Sequence, residues 1–367
     1  MPLSSNKAIA ERMLADLLER IEKARVGDPE IRASNRPAQE HLQDYLRHLM
    51  SKNRSEKHLI DIARKLDLYF ETMQIELISQ IDCTTVENLV IYLRAKRNNS
   101  LQTCNHYLKK IKSFCHWLVR EGRLQRNPIA AFACFNAEVD RRHLRRSLSY
   151  DEFGYLLKAA VKNKTVQCLS GYDRGMLYTM AYWTGLRKSE LGSLRLENFQ
   201  VNTEIPTVTV EAQYSKRRQN DTLVLHANIV DVFKRWIESK RPRKDEPLFP
   251  ISKHHGGIER KTSKMIEYDL SIARQCWIDE AESEIEKISR AQSDFLRHVD
   301  TQGRHVDFHS LRHAFITNLI HLRIPLKTLQ VLARHSDIRM TIEVYGHVSF
   351  FEQVEAIRLL PSIPIDL

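Results

Sequence analysis

Apolar residues recur with helical spacing over the first third of the chain. From about Asn6 to Ala24, Ile9, Met13, Leu17 and Ile21 stand four apart with Leu14 and Leu18 alongside, the stripe of an amphipathic helix whose packing partner is left open. Between Pro37 and Pro128 the pattern stays helical. Leu59, Ile62, Ala63, Leu66, Tyr69, Phe70 and Met73 share one face of a helix opened by Ser55, leaving Lys57, Arg64 and Lys65 mainly outside that stripe. A capping box from Thr84 to Glu87 predicts the next helix start. A third helix turns Leu108, Ile111, Cys115 and Leu118 inward and leaves Lys109, Lys110, Lys112 and His116 outward, until Gly122 ends it.

The periodicity lapses between Phe135 and Ser147, where Arg141, Arg142, His143, Arg145 and Arg146 cluster as in a basic linker. Ser149 and Glu152 then form a second capping box, so a new domain begins close to residue 147. This domain is mixed. Thr207 to Val210 and Thr222 to Leu225 carry β-formers around the polar turn Ser215 to Asp221, which predicts a hairpin, and nearly everything else reads as helix. The Glu-rich stretch from Trp277 to Ser293 suits a helix and suggests no function.

Composition narrows the partners. With 57 Lys and Arg against 46 Asp and Glu, the formal charge of +11 favours a polyanion, nucleic acid first, although a generally basic surface accounts for the same count. No stretch stays uncharged long enough to span a bilayer and Met1 to Met13 lacks a signal-peptide core, so the expected location is the cytoplasm. The six cysteines form no C-x-x-C pair, which points to reduced thiols, mostly in cores, and to no metal site.

Four segments of the second domain carry reactive residue types: T-G-L-R-K-S-E-L from 184, Y-S-K-R-R from 214, H-S-L-R-H from 309, and A-R-H-S-D with E-V-Y-G-H from 333 to 347. Each residue has an ordinary structural explanation. Arg187 suits an ion pair with Glu190, Lys216 a solvated turn, His309 or His335 a hydrogen-bonded core site, and Tyr345 half-buried packing. Together, two arginines, two histidines, a lysine and a tyrosine make a complete set for a phosphodiester. Guanidinium forks match the extra charge of a pentacoordinate phosphate, a tyrosine hydroxyl supplies the nucleophile, and lysine or histidine supplies the proton for the leaving alkoxide.

In their order, Arg187, Lys216, His309, Arg312, His335 and Tyr345 resemble the R…K…H-x-x-R…H/W…Y signature of the tyrosine recombinases, the phage-integrase family. The resemblance covers roughly residues 38 to 350. It implies a mainly α protein with a small β-sheet, a helical core-binding domain followed by an α+β catalytic domain. The expected division is an N-terminal arm (1–36), core-binding domain (37–134), basic linker (135–146), catalytic domain (147–350) and tail (351–367). It further implies DNA strand cleavage and rejoining through a 3′-phosphotyrosyl bond to Tyr345, with no ATP, metal or other cofactor. Glu190 and His313 are the implied supporting residues. Double-stranded DNA is the implied partner, contacted by Lys57, Arg64, Lys65, Lys109, Lys112, Arg141, Arg142, Arg145 and Arg146. A homotetramer on paired DNA sites, with Phe350 to Leu360 packing on a neighbour, completes the expectation. Two positions depart from the pattern, Ser310 where the family often has Asp and Arg334 where it often has Gly. A DNA-binding regulator without catalysis and a type IB topoisomerase-like enzyme are the rival readings.

Overall fold

The computed structural model describes residues 8, 9, 11–15, 18, 35–215, 218–335, 337–339 and 358. Lys216, Tyr345 and nearly all of the tail, the 350–360 segment included, lie outside the described residues. The predicted arm is described only in part: residues 8, 9, 11–15 and 18 are helical, and Asn35 and Arg36 lie in a turn. The chain forms two compact units, divided between Arg142 and His143.

From residue 35 on, the first unit is built by α1 (Ala38–Ser51), α2 (Glu56–Met73), α3 (Cys83–Ala95) and α4 (Leu101–Arg120). The apolar stripes meet inside, where Leu42, Leu66, Tyr69, Leu89, Leu108, Phe114 and Leu118 are buried. Full burial of each such side chain contributes about 1.5–3 kcal/mol. α3 begins before the predicted Thr84 box. Asp82 accepts from the Thr85 backbone N–H at 2.7 Å and Thr85 returns the bond, because a carboxylate outcompetes a hydroxyl for the free amides of a first turn.

Residues 135–142 are more ordered than a linker of that composition suggests. The Asn105 side chain bonds both the N–H and the carbonyl of Phe135, Ala137–Asp140 is a 3₁₀ turn, and Asp140 takes the Leu101 N–H together with Arg94 and Arg142. Of the cysteines, Cys104 and Cys115 are buried, Cys83 is half-buried, and Cys134, Cys168 and Cys276 are exposed, so the core expectation holds for two of the six.

The second unit is arranged around α6 (Gly171–Thr184), which is buried on nearly every side. Around it pack α5 (Tyr150–Lys162), α8 (Ala227–Lys240) and α11 (Phe308–His321), and α9 (Thr262–Asp279) packs on α5. The Ser149–Glu152 capping box forms at the start of α5 as the spacing predicts. Arg174 of α6 and Asp269 of α9 make a doubly hydrogen-bonded pair, both bonds 2.8 Å and both side chains 0% exposed, and the Tyr178 hydroxyl donates to the same carboxylate. The hairpin is present as β2 (Thr207–Val210) and β3 (Asp221–Val224); a short β1 (Phe199–Gln200), not foreseen, extends it to three antiparallel strands. The Glu-rich stretch contains α10 (Glu284–Gln292), fastened by Arg274 to the backbone carbonyls of Ala291 and Ser293 at 2.8 Å.

Candidate active site

Three chain turns in the second unit converge. The first follows α6, where Gly185 ends the helix with φ 61°, a left-handed conformation that suits glycine, and an added Cβ there would lie 2.5 Å from the Phe315 ring. Two residues on, Arg187 caps the short helix α7 (Lys188–Leu191). Its backbone N–H and its Nη1 both donate to Glu190, at 2.7 and 2.8 Å. The ion pair weighed from sequence is therefore real, and it aims the guanidinium while leaving 21% of the Arg187 side chain open.

The second is the start of α11. Asp307 caps it by accepting from the backbone N–H groups of His309 and Ser310, and Ser310 answers by accepting from Asp307. His309, Arg312 and His313 then fall on adjacent turns, with the two imidazoles 5.1 Å apart. Arg312 is buried and donates to the carbonyls of Gly185 and Ala333, which ties α11 to both other turns.

The third is the end of α12 (Leu326–Ala333), which follows Pro325. Arg334 follows it with φ 51°, and His335 comes next, buried, its N–H on the Gln330 carbonyl. Arg334 bonds Glu190 at 3.0 Å and the Gly185 carbonyl at 3.2 Å.

The electrostatics follow from this crowding of like charge. Burial alone would raise the Glu190 carboxyl, but Arg334 and Arg187 outweigh it and hold it below its ordinary range. Burial, then repulsion from Arg187 and Arg334, pushes Arg312 down to about 9. His335 is pushed down to about 4, first by burial and then by Arg312 and Arg187. His309 is also pushed down to about 4; although solvent reaches its ring, the walls around it displace most of the water, and His313 and Arg145 add repulsion. Both shifts favour the neutral imidazole near pH 7.

A cleft of about 190 Å³ lies against this site, lined among others by Arg145, Lys188, Asp307, His309 and Arg312. Arg145 donates to Asp307 at 2.7 Å, beside His143 at 3.1 Å; burial would raise this carboxyl, but the two bonds hold it low. The structure therefore puts Arg145 in the lining of this cleft, bonded to Asp307. Arg146 is committed inward: its two Nη atoms bond Glu152 at 2.9 and 2.8 Å, and Nη2 reaches the Arg297 carbonyl at 3.0 Å. Arg141 and Arg142 are exposed and paired with Glu138 and Asp140.

On the first unit Lys57, Arg64 and Lys109 are exposed. Lys65 pairs with Asp61, which Lys110 also approaches at 3.6 Å, and Lys112 donates to the Ala130 carbonyl at 3.2 Å. Sequence reasoning missed Arg334 and Asp307 as parts of the site. Asp307 was legible, because Asp followed three residues later by Ser is a cap signal; Arg334 stood out only as a departure from glycine.

The profile of the phage integrase family matches residues 146–352, more than half of the chain. That of the phage integrase N-terminal SAM-like domain matches residues 42–122. Tyrosine recombinase XerC of Azotobacter vinelandii is 25% identical over 317 residues, 84% of this chain and 91% of its own. XerC of Escherichia coli O127:H6 is 26% identical over 275 residues, 74% and 78%. In structure the chain is similar to the Tn1549 transposon integrase in complex with transposon right end DNA, with a TM-score of 0.64 at 15% identity over 87% of this chain and 98% of that one. It is also similar to a lambda integrase dimer bound to a COC′ core site, with a TM-score of 0.59 at 16% identity over 99% and 91%. At such identities the structural likeness shows a shared fold.

Proposed function

Because the chain belongs to the phage integrase family, we propose that it is a site-specific recombinase that cuts and rejoins duplex DNA through a phosphotyrosine at Tyr345. One observation carries the reading furthest: Arg187 and Arg312, distant in sequence, are held in one site beside two neutral histidines.

The Tyr345 oxygen attacks phosphorus, the P–O5′ bond breaks, and a 3′-phosphotyrosyl link remains. Arg187 and Arg312 hold the non-bridging oxygens as their charge grows. A neutral His309 or His335 takes the phenol proton, and Lys216 gives one to the departing 5′ oxygen. The free 5′-hydroxyl of another strand reverses the step. Bond energy is conserved in the covalent link, so the exchange needs no ATP.

In this reading residues 37–134 and 147–350 grip the duplex, Lys57, Arg64, Lys65, Lys109, Lys112, Arg141 and Arg142 contact phosphates, and a homotetramer assembles on two sites in the cytoplasm. Among the described residues no helix is long and apolar enough to cross a membrane. Sedimentation of the chain on its DNA tests the tetramer.

The test of the chemistry uses a nicked duplex carrying the site that the wild-type chain selects from random-sequence DNA. Wild type becomes covalently trapped, in excess EDTA as well, while Tyr345→Phe binds the duplex equally and traps nothing. Trapping by the Phe variant sinks the nucleophile assignment. Strand exchange between two such sites separates a recombinase from a relaxing enzyme or a regulator.

A further inference from the structure

Arg334 sits where an arginine is costly twice over. Its φ of 51° and ψ of 45° lie in the left-handed region at the end of α12, where glycine is the default. Its side chain is 4% exposed, and its Nε and Nη1 are buried without a hydrogen-bond partner among the described residues. Unpaired buried guanidinium donors are unfavourable, so a cap residue alone gives no reason for this side chain.

Its one bonded nitrogen shows what it does. Nη2 donates to Glu190 Oε2, and Oε1 of the same carboxylate holds Arg187. Nη2 also reaches the Gly185 carbonyl, the oxygen that accepts from Arg312. Arg334 thus touches the supports of both other guanidiniums. In this cluster Arg187 and Arg334 share the Glu190 carboxylate, and the buried Arg312 adds a third positive charge beside them.

We propose that Arg334 is a positioning residue, locking the Arg187 and Arg312 forks into one frame through Glu190 and the Gly185 carbonyl, and charging that frame for an anionic phosphate. The proposal rests on the recombinase reading and deepens it. A preset frame costs no reorganisation when charge develops on phosphorus, so its loss falls on the chemical step more than on DNA affinity.

The decisive variant is Arg334→Gly, which suits the backbone conformation and deletes the guanidinium; Arg334→Gln serves as the second. Both are compared with wild type and Tyr345→Phe on the nicked duplex described above. Arg334→Gly is expected to melt within a few degrees of wild type and bind the duplex with unchanged Kd, yet form the covalent complex about ten- to a hundredfold more slowly. Guanidinium ion at tens of millimolar should restore much of the rate to the Gly variant, and sodium at the same ionic strength should not. Trapping at the wild-type rate by Arg334→Gly overturns the proposal while leaving the recombinase reading intact. So does a rate loss that tracks a loss of stability and resists guanidinium rescue, since that marks a purely structural arginine. If wild type itself forms no covalent complex, the parent reading fails and this one with it.

Discussion

Glu190→Gln exchanges one oxygen for an amide nitrogen in a side chain that is 1% exposed. The carboxylate accepts from the Arg187 N–H, Arg187 Nη1 and Arg334 Nη2, at 2.7, 2.8 and 3.0 Å. An amide has one acceptor oxygen, and its NH₂ would face a guanidinium donor. At least one donor is stranded, and Arg187 and Arg334 lose the carboxylate they share. Breaking a buried pair costs about 3–5 kcal/mol. The partial exposure of Arg187 discounts its share, so about 3 kcal/mol is the expected loss. For a unit of this size that lowers the melting temperature by roughly 6–12 °C.

The pH dependence gives a second check on the same substitution. Glu190 titrates below its ordinary 4.5, so its stabilisation is present above that value and is lost as pH falls through the folded-state pKa. The gap between wild type and Glu190→Gln should therefore be widest near neutrality and close as the pH drops below 4.5. Scanning calorimetry across that range measures both effects. A variant that melts with wild type at pH 7, or a gap that persists unchanged in acid, refutes the view of Glu190 as the charged hub of the site.

Other substitutions test the frame around it. Asp269→Asn removes the counter-charge of a fully buried arginine and should lower unfolding free energy by about 3–5 kcal/mol in urea; a loss below about 1 kcal/mol would show that Arg174 finds other support. His309 and His335 should titrate near 4 by NMR in the DNA-free protein, so the fold loses stability as pH falls from 6.5 toward 4; midpoints at or above 6.5 contradict the crowding described here. Arg141→Ala should leave melting unchanged and flatten the salt dependence of DNA binding by up to about 0.9 per phosphate contact. Arg146→Ala should instead destabilise the protein, and an unchanged melting temperature would return Arg146 to the surface. Arg312→Lys keeps charge but loses the fork, and cleavage should fall about a hundredfold, some 3 kcal/mol, with binding retained; normal cleavage makes Arg312 structural.

Periodicity along the chain and its cap residues determined the helical first unit, the α5 capping box and the hairpin, because each is a local matter of which face is apolar and which amide is free. That Arg187, His309, Arg312 and His335 meet was foreshadowed for a related reason: the chemistry proposed from the sequence fixes residue types. Four properties escaped the spacing, the first of them local and the other three set by distant contacts. The α3 start moved to Asp82 because of competition between two neighbouring caps. Arg146 reads as one more linker charge until Glu152 and the Arg297 carbonyl enclose it. Arg145 becomes part of the cleft only through Asp307, 162 residues away. Arg334 looks in sequence like the loss of a glycine, and only packing shows its guanidinium between Glu190 and Gly185. What a charged side chain does depends on what lies within a few ångströms of its far end, and for a long arginine that neighbourhood is set by distant segments that no spacing in the chain encodes.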